Sequence, residues 1–116
     1  MQLRSIVELL GCEVLCSREA LGVDVPSCFA ADLMSDVLAF ATPNALLVTG
    51  LTSVQAVHTA DVAECAAILF VGAKRPSPEA LELAERRAIP LLSTSHSMFE
   101  ACGILSVAGI PPARKA

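Results

Sequence analysis

The residues best equipped for chemistry in this chain are hydroxyls and a few cations gathered where apolar runs end. Thr49, Gly50 and Thr52 follow one such run, Ser93, Thr94 and His96 follow another, and Lys74 and Arg75 follow a third. Each segment leads into a helix-like pattern. The first backbone N–H groups of a helix lack intrahelical partners, so these junctions are natural anion sites. The chemistry they suit is recognition of a phosphate or carboxylate, with the two cations supplying charge. Ser and Thr also occupy such positions simply as helix caps, so capping alone competes with a ligand-binding rim.

Residue types needed for catalysis are present but poorly spaced. His58 with Asp61 at i+3 reads as a surface pair on a polar helix face. His96 and Cys102 are six residues apart across a helix start and do not naturally meet as base and nucleophile. Asp32 and Asp36 follow a strand, and Asp36 complements a helix N-terminus there. Gly50 stands alone, without a Gly-x-Gly-x-x-Gly or phosphate-loop signature around it. The expectation is a protein with no catalytic residues, no cofactor and no metal site.

The five cysteines, Cys12, Cys16, Cys28, Cys65 and Cys102, are odd in number and never spaced as Cys-x-x-Cys. They read as reduced, mostly buried thiols of a cytoplasmic protein. Cys12 and Cys16 share a strand face but have no nearby His or further Cys pair to complete a metal site.

Composition narrows the classes further. A length of 116 residues suits one domain, read over 1–116 with a flexible tail at 113–116. Apolar residues reach 54% and charged residues only 17%, which suggests a sheet covered on both faces. Four phenylalanines, with no Trp or Tyr, supply few stacking platforms for bases, and a net charge of −4 disfavours nucleic acid as partner. The N-terminus lacks the pattern of a signal peptide, and no apolar run approaches a membrane span.

The elements that must position the rim are legible as alternating patterns. Leu3, Ile6, Val7 and Leu10 form one helical stripe, and Gly11 stands where a left-handed cap belongs. Residues 12–16 read as a strand, 17–26 as a loop, 28–33 as a second strand, and 34–41 as a helix. The apolar run at 45–48 reads as a strand buried on both sides. Thr52 and Gln55 have capping-box spacing at the start of a helix over 53–64. In that helix Ala56, Val57, Ala60 and Ala63 should face the sheet, while Gln55, His58, Thr59 and Glu64 face water. Residues 66–72 give a fourth strand. Ser77, Pro78 and Glu79 then open a helix to 88 with an N-cap, a first-turn proline and a first-turn acid.

A fifth strand follows at 89–93, and Ser97 with Glu100 forms a capping box for a last helix to 108. The expected fold is a three-layer α/β/α domain with a mostly parallel sheet of about five strands. Its strand-end loops would share one rim, where ligands bind at a switch in strand order.

The last helix has only Glu100 and Ser106 for a polar face. Its apolar positions exceed what its own sheet can cover, which marks Met98, Cys102, Ile104 and Leu105 as a symmetric dimer contact.

Several of these segments together resemble the DRTGG domain family. They are the amphipathic first helix, Gly-Cys-Glu-Val-Leu-Cys at 11–16, Ala-Asp-Leu-Met-Ser-Asp-Val-Leu-Ala-Phe at 31–40, Leu-Leu-Val-Thr-Gly-Leu-Thr at 46–52 and Ser-Met-Phe-Glu-Ala-Cys-Gly-Ile-Leu at 97–105. The resemblance spans about residues 3–109. Such domains occur beside CBS domains in regulated pyrophosphatases and in long bacterial phosphotransacetylases, and their fold is similar to the amino-terminal domain of HPr kinase/phosphorylase. Single-domain versions accompany hydrogenase-type genes in anaerobic bacteria. The resemblance implies an α/β/α module without catalytic residues, used for dimerisation or sensing.

Thr49-Gly50 fits the family signature, whereas Leu51 replaces its second glycine and no Asp-Arg dipeptide is present, so no binding residue is carried over. Two readings follow. One is a non-catalytic, homodimeric regulatory module for a larger metabolic enzyme, of hydrogenase type by the resemblance. The other is a sensor that binds a nucleotide or other anionic metabolite at the rim.

Overall fold

A computed structural model describes residues 1–115; Ala116 lies outside the described residues. The chain forms helix α1 (Leu3–Leu10), strand β1 (Glu13–Cys16), a short 3-10 turn at Arg18–Ala20, β2 (Cys28–Ala30), α2 (Met34–Phe40), β3 (Leu46–Thr49) and α3 (Val54–Val62). It continues through β4 (Ala67–Phe70), α4 (Pro78–Arg87), β5 (Leu91–Ser93) and α5 (Met98–Val107). The sheet order is β1-β5-β4-β3-β2. Strands β2 to β5 pair in parallel, and β1 closes one edge antiparallel to β5. The expected α/β architecture and strand number are therefore present.

Burial explains the central strands. Every residue of β3 and β4 is inside, so neither strand has room for a polar face, as a sheet covered on both sides requires. Alternate residues feed two cores. Leu46, Val48, Ala67, Leu69 and Leu92 pack under Leu3, Ile6 and Leu10 of α1 and Ala101 and Leu105 of α5. Leu47, Ile68, Phe70 and Leu91 pack under α2, α3 and α4. Thr59 of α3 is buried too, in contrast to its expected place on the wet face.

The winding differs from the expected switch in strand order. Each crossover from β2 to β5 steps the same way, and α2, α3 and α4 share one face, as a constant crossover hand requires. The parallel strands run in sequence order and no reversal opens a crevice among them. Only after β5 does the chain change face and lay α5 beside α1.

The ends of the elements follow local chemistry. Gly11 caps α1 at φ 60°, a left-handed conformation that glycine adopts without Cβ strain. Ser77 caps α4, accepting from Ala80 N–H at 3.2 Å. Ser97 and Glu100 form the expected capping box on α5, with Ser97 N–H donating to Glu100 at 2.8 Å and Glu100 N–H donating to the Ser97 hydroxyl at 3.2 Å. The capping box expected at 52–55 does not form. Helix α3 begins one residue later, with Ser53 at the N-cap and no side-chain cap bond.

Of the segment expected as a flexible tail at 113–116, residues 113–115 are paired, and Ala116 lies outside the described residues. Cys28 N–H donates to Pro111 C=O, Ala113 N–H donates to Cys28 C=O, and Lys115 N–H donates to Phe40 C=O. Ala113 is buried. These residues cover part of the β2 edge, which would otherwise present unpaired backbone groups. Among the described residues, no helix is long and apolar enough to cross a membrane.

Candidate functional site

The carboxyl ends of β2 to β5 place the expected rim residues at one end of the sheet, in two networks that meet at Lys74. The first centres on Gly50. Asp32, just after β2, accepts from Gly50 N–H at 2.7 Å and from the Thr49 hydroxyl at 3.0 Å, both on Oδ1. The same Thr49 oxygen accepts from Leu51 N–H at 3.1 Å, which fixes the turn leaving β3. Lys74 reaches across from the β4–α4 loop, with its Nζ 3.5 Å from Gly50 C=O. A Cβ at position 50 would lie 3.1 Å from Lys74 Nζ and 3.5 Å from Asp32 Oδ1, so an ammonium and a carboxylate converge over this glycine.

The second network holds the other half of the rim together. The Thr94 hydroxyl donates to Leu10 C=O at 2.8 Å, a buried bond that ties the end of α1 to the end of β5. The Ser93 hydroxyl donates to Lys74 C=O at 2.8 Å. His96 accepts from Gly72 N–H through its carbonyl at 2.7 Å and donates from its own N–H to Thr94 Oγ1 at 3.4 Å. The Ser93 and Thr94 hydroxyls are spent on joining loops, and His96 takes part through its backbone. Ser93 and Thr94 are buried, and His96 is half-buried.

Thr52 turns its carbonyl to Ser77 N–H at 3.0 Å and is half-buried beside the start of α3. With Ser53 making no cap bond, the first donors of α3 lack the side-chain acceptor that α4 and α5 have. Arg75 does not serve the rim. Its guanidinium pairs with Glu13 of β1, and that hydrogen bond holds the Glu13 carboxyl below its ordinary value.

The pairs considered for catalysis are dispersed. Asp61 faces Arg87 across the α3–α4 contact at 3.6 Å, and His58 is exposed on α3. Cys102 lines a groove with Cys28 on the face of α1 and α5. Burial pushes the thiols up, Cys12 and Cys65 to about 11 and Cys28 to about 12. The Cys16 thiol donates to Ile89 C=O at 3.3 Å. Among the described residues, no three His, Cys, Asp or Glu side chains gather as metal ligands.

The residues expected at a dimer contact divide. Leu105 is 2% exposed and belongs to its own core, while Met98, Cys102 and Ile104 are half-buried against that core. The outward face of α5 carries Phe99, Gly103 and Val107 instead, with Phe99 and Val107 at 89% and 91% exposure. A shallow apolar recess lies beside them, lined by Leu9, Gly103, Ile104, Val107 and Ala108. Helical spacing identifies this face once Ala101 and Leu105 are placed inward, since positions 99, 103 and 107 lie four apart.

Asp32 is the rim residue that the sequence pattern underweighted. Its signal was its place directly after a strand that neighbours β3, where a carboxylate reaches the next strand end.

Fold and rim together define a small three-layer α/β domain whose strand-end polar groups hold turns and leave one helix start open. The family model of the DRTGG domain matches residues 5–108, and the chain belongs to that family. No curated protein matches it. Among solved structures it is similar to the crystal structure of the CBS and DRTGG domains of the regulatory region of Clostridium perfringens pyrophosphatase, complexed with the activator diadenosine tetraphosphate. The identity is 19% and the TM-score 0.72, with 95% of this chain and 47% of that chain covered. The chain thus spans about half the length of that neighbour, and the likeness is one of fold.

Proposed function

We propose that this chain is a regulatory module with no reaction of its own, and that it senses a nucleotide or similar phosphorylated metabolite at the Gly50 end of the rim. The observation that carries the reading is the convergence of Asp32 and Lys74 over Gly50, beside the uncapped start of α3. A helix N-terminus with a lysine suits a phosphate group. The second oxygen of Asp32 suits a sugar hydroxyl, because a carboxylate accepts more than one bond. A ligand with both features is a nucleotide. Membership of the DRTGG family supports the regulatory role, and a structural neighbour that contains a CBS–DRTGG region carries a dinucleotide activator.

The experiment is a thermal-shift and calorimetric screen of nucleotides against inorganic phosphate. A ligand at a hundredfold excess over its dissociation constant adds about 2.7 kcal/mol of apparent stability. Loss of that shift in Lys74→Gln is expected. A flat response across mono-, di- and dinucleotides would remove the reading.

A second reading rests on the outward face of α5. Phe99 and Val107 in water, beside the Leu9–Ile104 recess, form an apolar face of the kind that a second copy or a larger enzyme covers. The hydrogenase-type partner implied by the resemblance belongs here. Light scattering of the isolated chain distinguishes a homodimer from a monomer that waits for another protein.

A further inference from the structure

The rim leaves unused the groove at the β2 edge. Its floor is Cys28 and Ala30, one wall is Cys102, Leu105 and Ser106 of α5, and the other is residues 110–112 with Arg114 at the end. Its volume is about 440 Å³, within the range of roughly 300–1,000 Å³ common for small-molecule sites. No residue of the groove belongs to either rim network. The wall formed by residues 110–112 is held in place, because Cys28 binds Pro111 and Ala113 through its backbone at 3.1 and 2.9 Å.

The charge of the groove is one-sided. Both thiols are pushed up by burial, Cys28 to about 12, and are neutral wall atoms at ordinary pH. No carboxylate lines the groove, although the chain as a whole carries a net charge of −4. Its one ionised side chain is Arg114, which makes no ion pair among the described residues. The guanidinium lies over the Phe40 ring at 4.9 Å. This cation–π contact uses the face of the ring and consumes none of the guanidinium N–H donors. An apolar trough with an arginine at its margin, in no ion pair among the described residues, is complementary to a molecule with an apolar body and one anionic head.

We propose that this groove is a second ligand site, which takes a small amphipathic carboxylate with its chain along Leu105, Ile110 and Pro111 and its head on Arg114. The ligand class is defined by that charge complementarity and by mostly apolar walls. It is separate from the phosphorylated ligand proposed for the rim.

The test uses the full chain and decanoate below its micellar concentration, read by calorimetry and by the rate of alkylation of Cys102. Decanoate is expected to bind and to slow alkylation in the parent chain. Arg114→Gln is expected to weaken decanoate about tenfold while leaving binding of neutral decanol unchanged. Ser106→Trp, an exposed position on the groove wall, is expected to abolish both. Melting curves of the two variants serve as the folding control. Decanoate binding that survives both substitutions, fails to protect Cys102, or disappears only with Val107→Asp in the α5 recess would overturn the proposal. Absence of any decanoate binding would overturn it equally.

Discussion

Asp32 and Gly50, eighteen residues apart in sequence, are joined by a 2.7 Å hydrogen bond from the Gly50 N–H to the Asp32 carboxylate. That bond, with the Thr49 hydroxyl on the same oxygen, sets the shape of the turn out of β3. Asp32→Ala removes the acceptor of two donors. An unsatisfied buried group costs about 1–3 kcal/mol, and the exposure of Asp32 places the loss near the lower end, about 1 kcal/mol by urea denaturation. If the rim reads nucleotides, the same variant weakens a nucleoside phosphate more than inorganic phosphate. Equal weakening of both would remove Asp32 from ligand contact.

Gly50→Ala tests the space above the same residue. The added methyl would meet Lys74 Nζ at 3.1 Å, and the far end of a lysine moves easily. Stability should change by well under about 1 kcal/mol, within the usual range for surface substitutions. Anion affinity should fall, because the ammonium leaves its place. Titration calorimetry with a nucleotide separates the two effects.

The α5 face yields a contrast between neighbours. Leu105→Asp places a carboxylate in the α1–α5 core, where it has no partner, and should unfold the domain. Val107→Asp and Phe99→Asp lie in water and should leave the melting temperature almost unchanged while dispersing any dimer. Gly103→Ala should stabilise the isolated chain by about 0.5–1 kcal/mol. A mid-helix glycine has entropy to lose, and its added Cβ would meet nothing within 4 Å. Should Gly103→Ala stabilise the fold yet weaken self-association, close approach of a partner at that notch follows.

Alkaline pH provides a test of the core. The folded pKa values of Cys12, Cys28 and Cys65 lie above the ordinary value of 9.0, at about 11, 12 and 11. A thiol raised in the folded state contributes stability that is fully present below its unfolded pKa and is lost as pH rises toward the folded one. The melting temperature should therefore fall progressively from about pH 9 to about pH 12. Cys28→Ala and Cys65→Ala should each flatten that fall. A melting temperature that is level through this window in the parent chain would contradict the burial of these thiols.

The architecture was legible because its elements are locally consistent. The four apolar residues at 45–48 left no polar face, and Ser77-Pro78-Glu79 and Ser97 with Glu100 start helices by their own chemistry. What periodicity does not contain is strand order. The patterns of β2 to β5 would read the same with or without a reversal, so the expected switch-point crevice had no sequence-level check. Hydroxyl partners were hidden for a related reason: Thr94 bonds Leu10 across 84 residues, and no local spacing announces it. Thr52 and Gln55 offered a capping box, but the carbonyl of Thr52 was taken by Ser77 and the helix began later. At α5, composition showed an excess of apolar surface, whereas the choice of face depended on where the sheet lay.

The monotonic winding has a geometric consequence. Neighbouring strands lie about 4.8 Å apart and packed helices about 8–10 Å apart, so five strands make a floor that three helices can roof and two cannot. One side of this molecule has three and the other has two. The shortfall comes out at the margin next to β2, where a length of irregular backbone serves as the eave and a gutter remains beneath it. In this chain the side chains along that margin decide what drains into it.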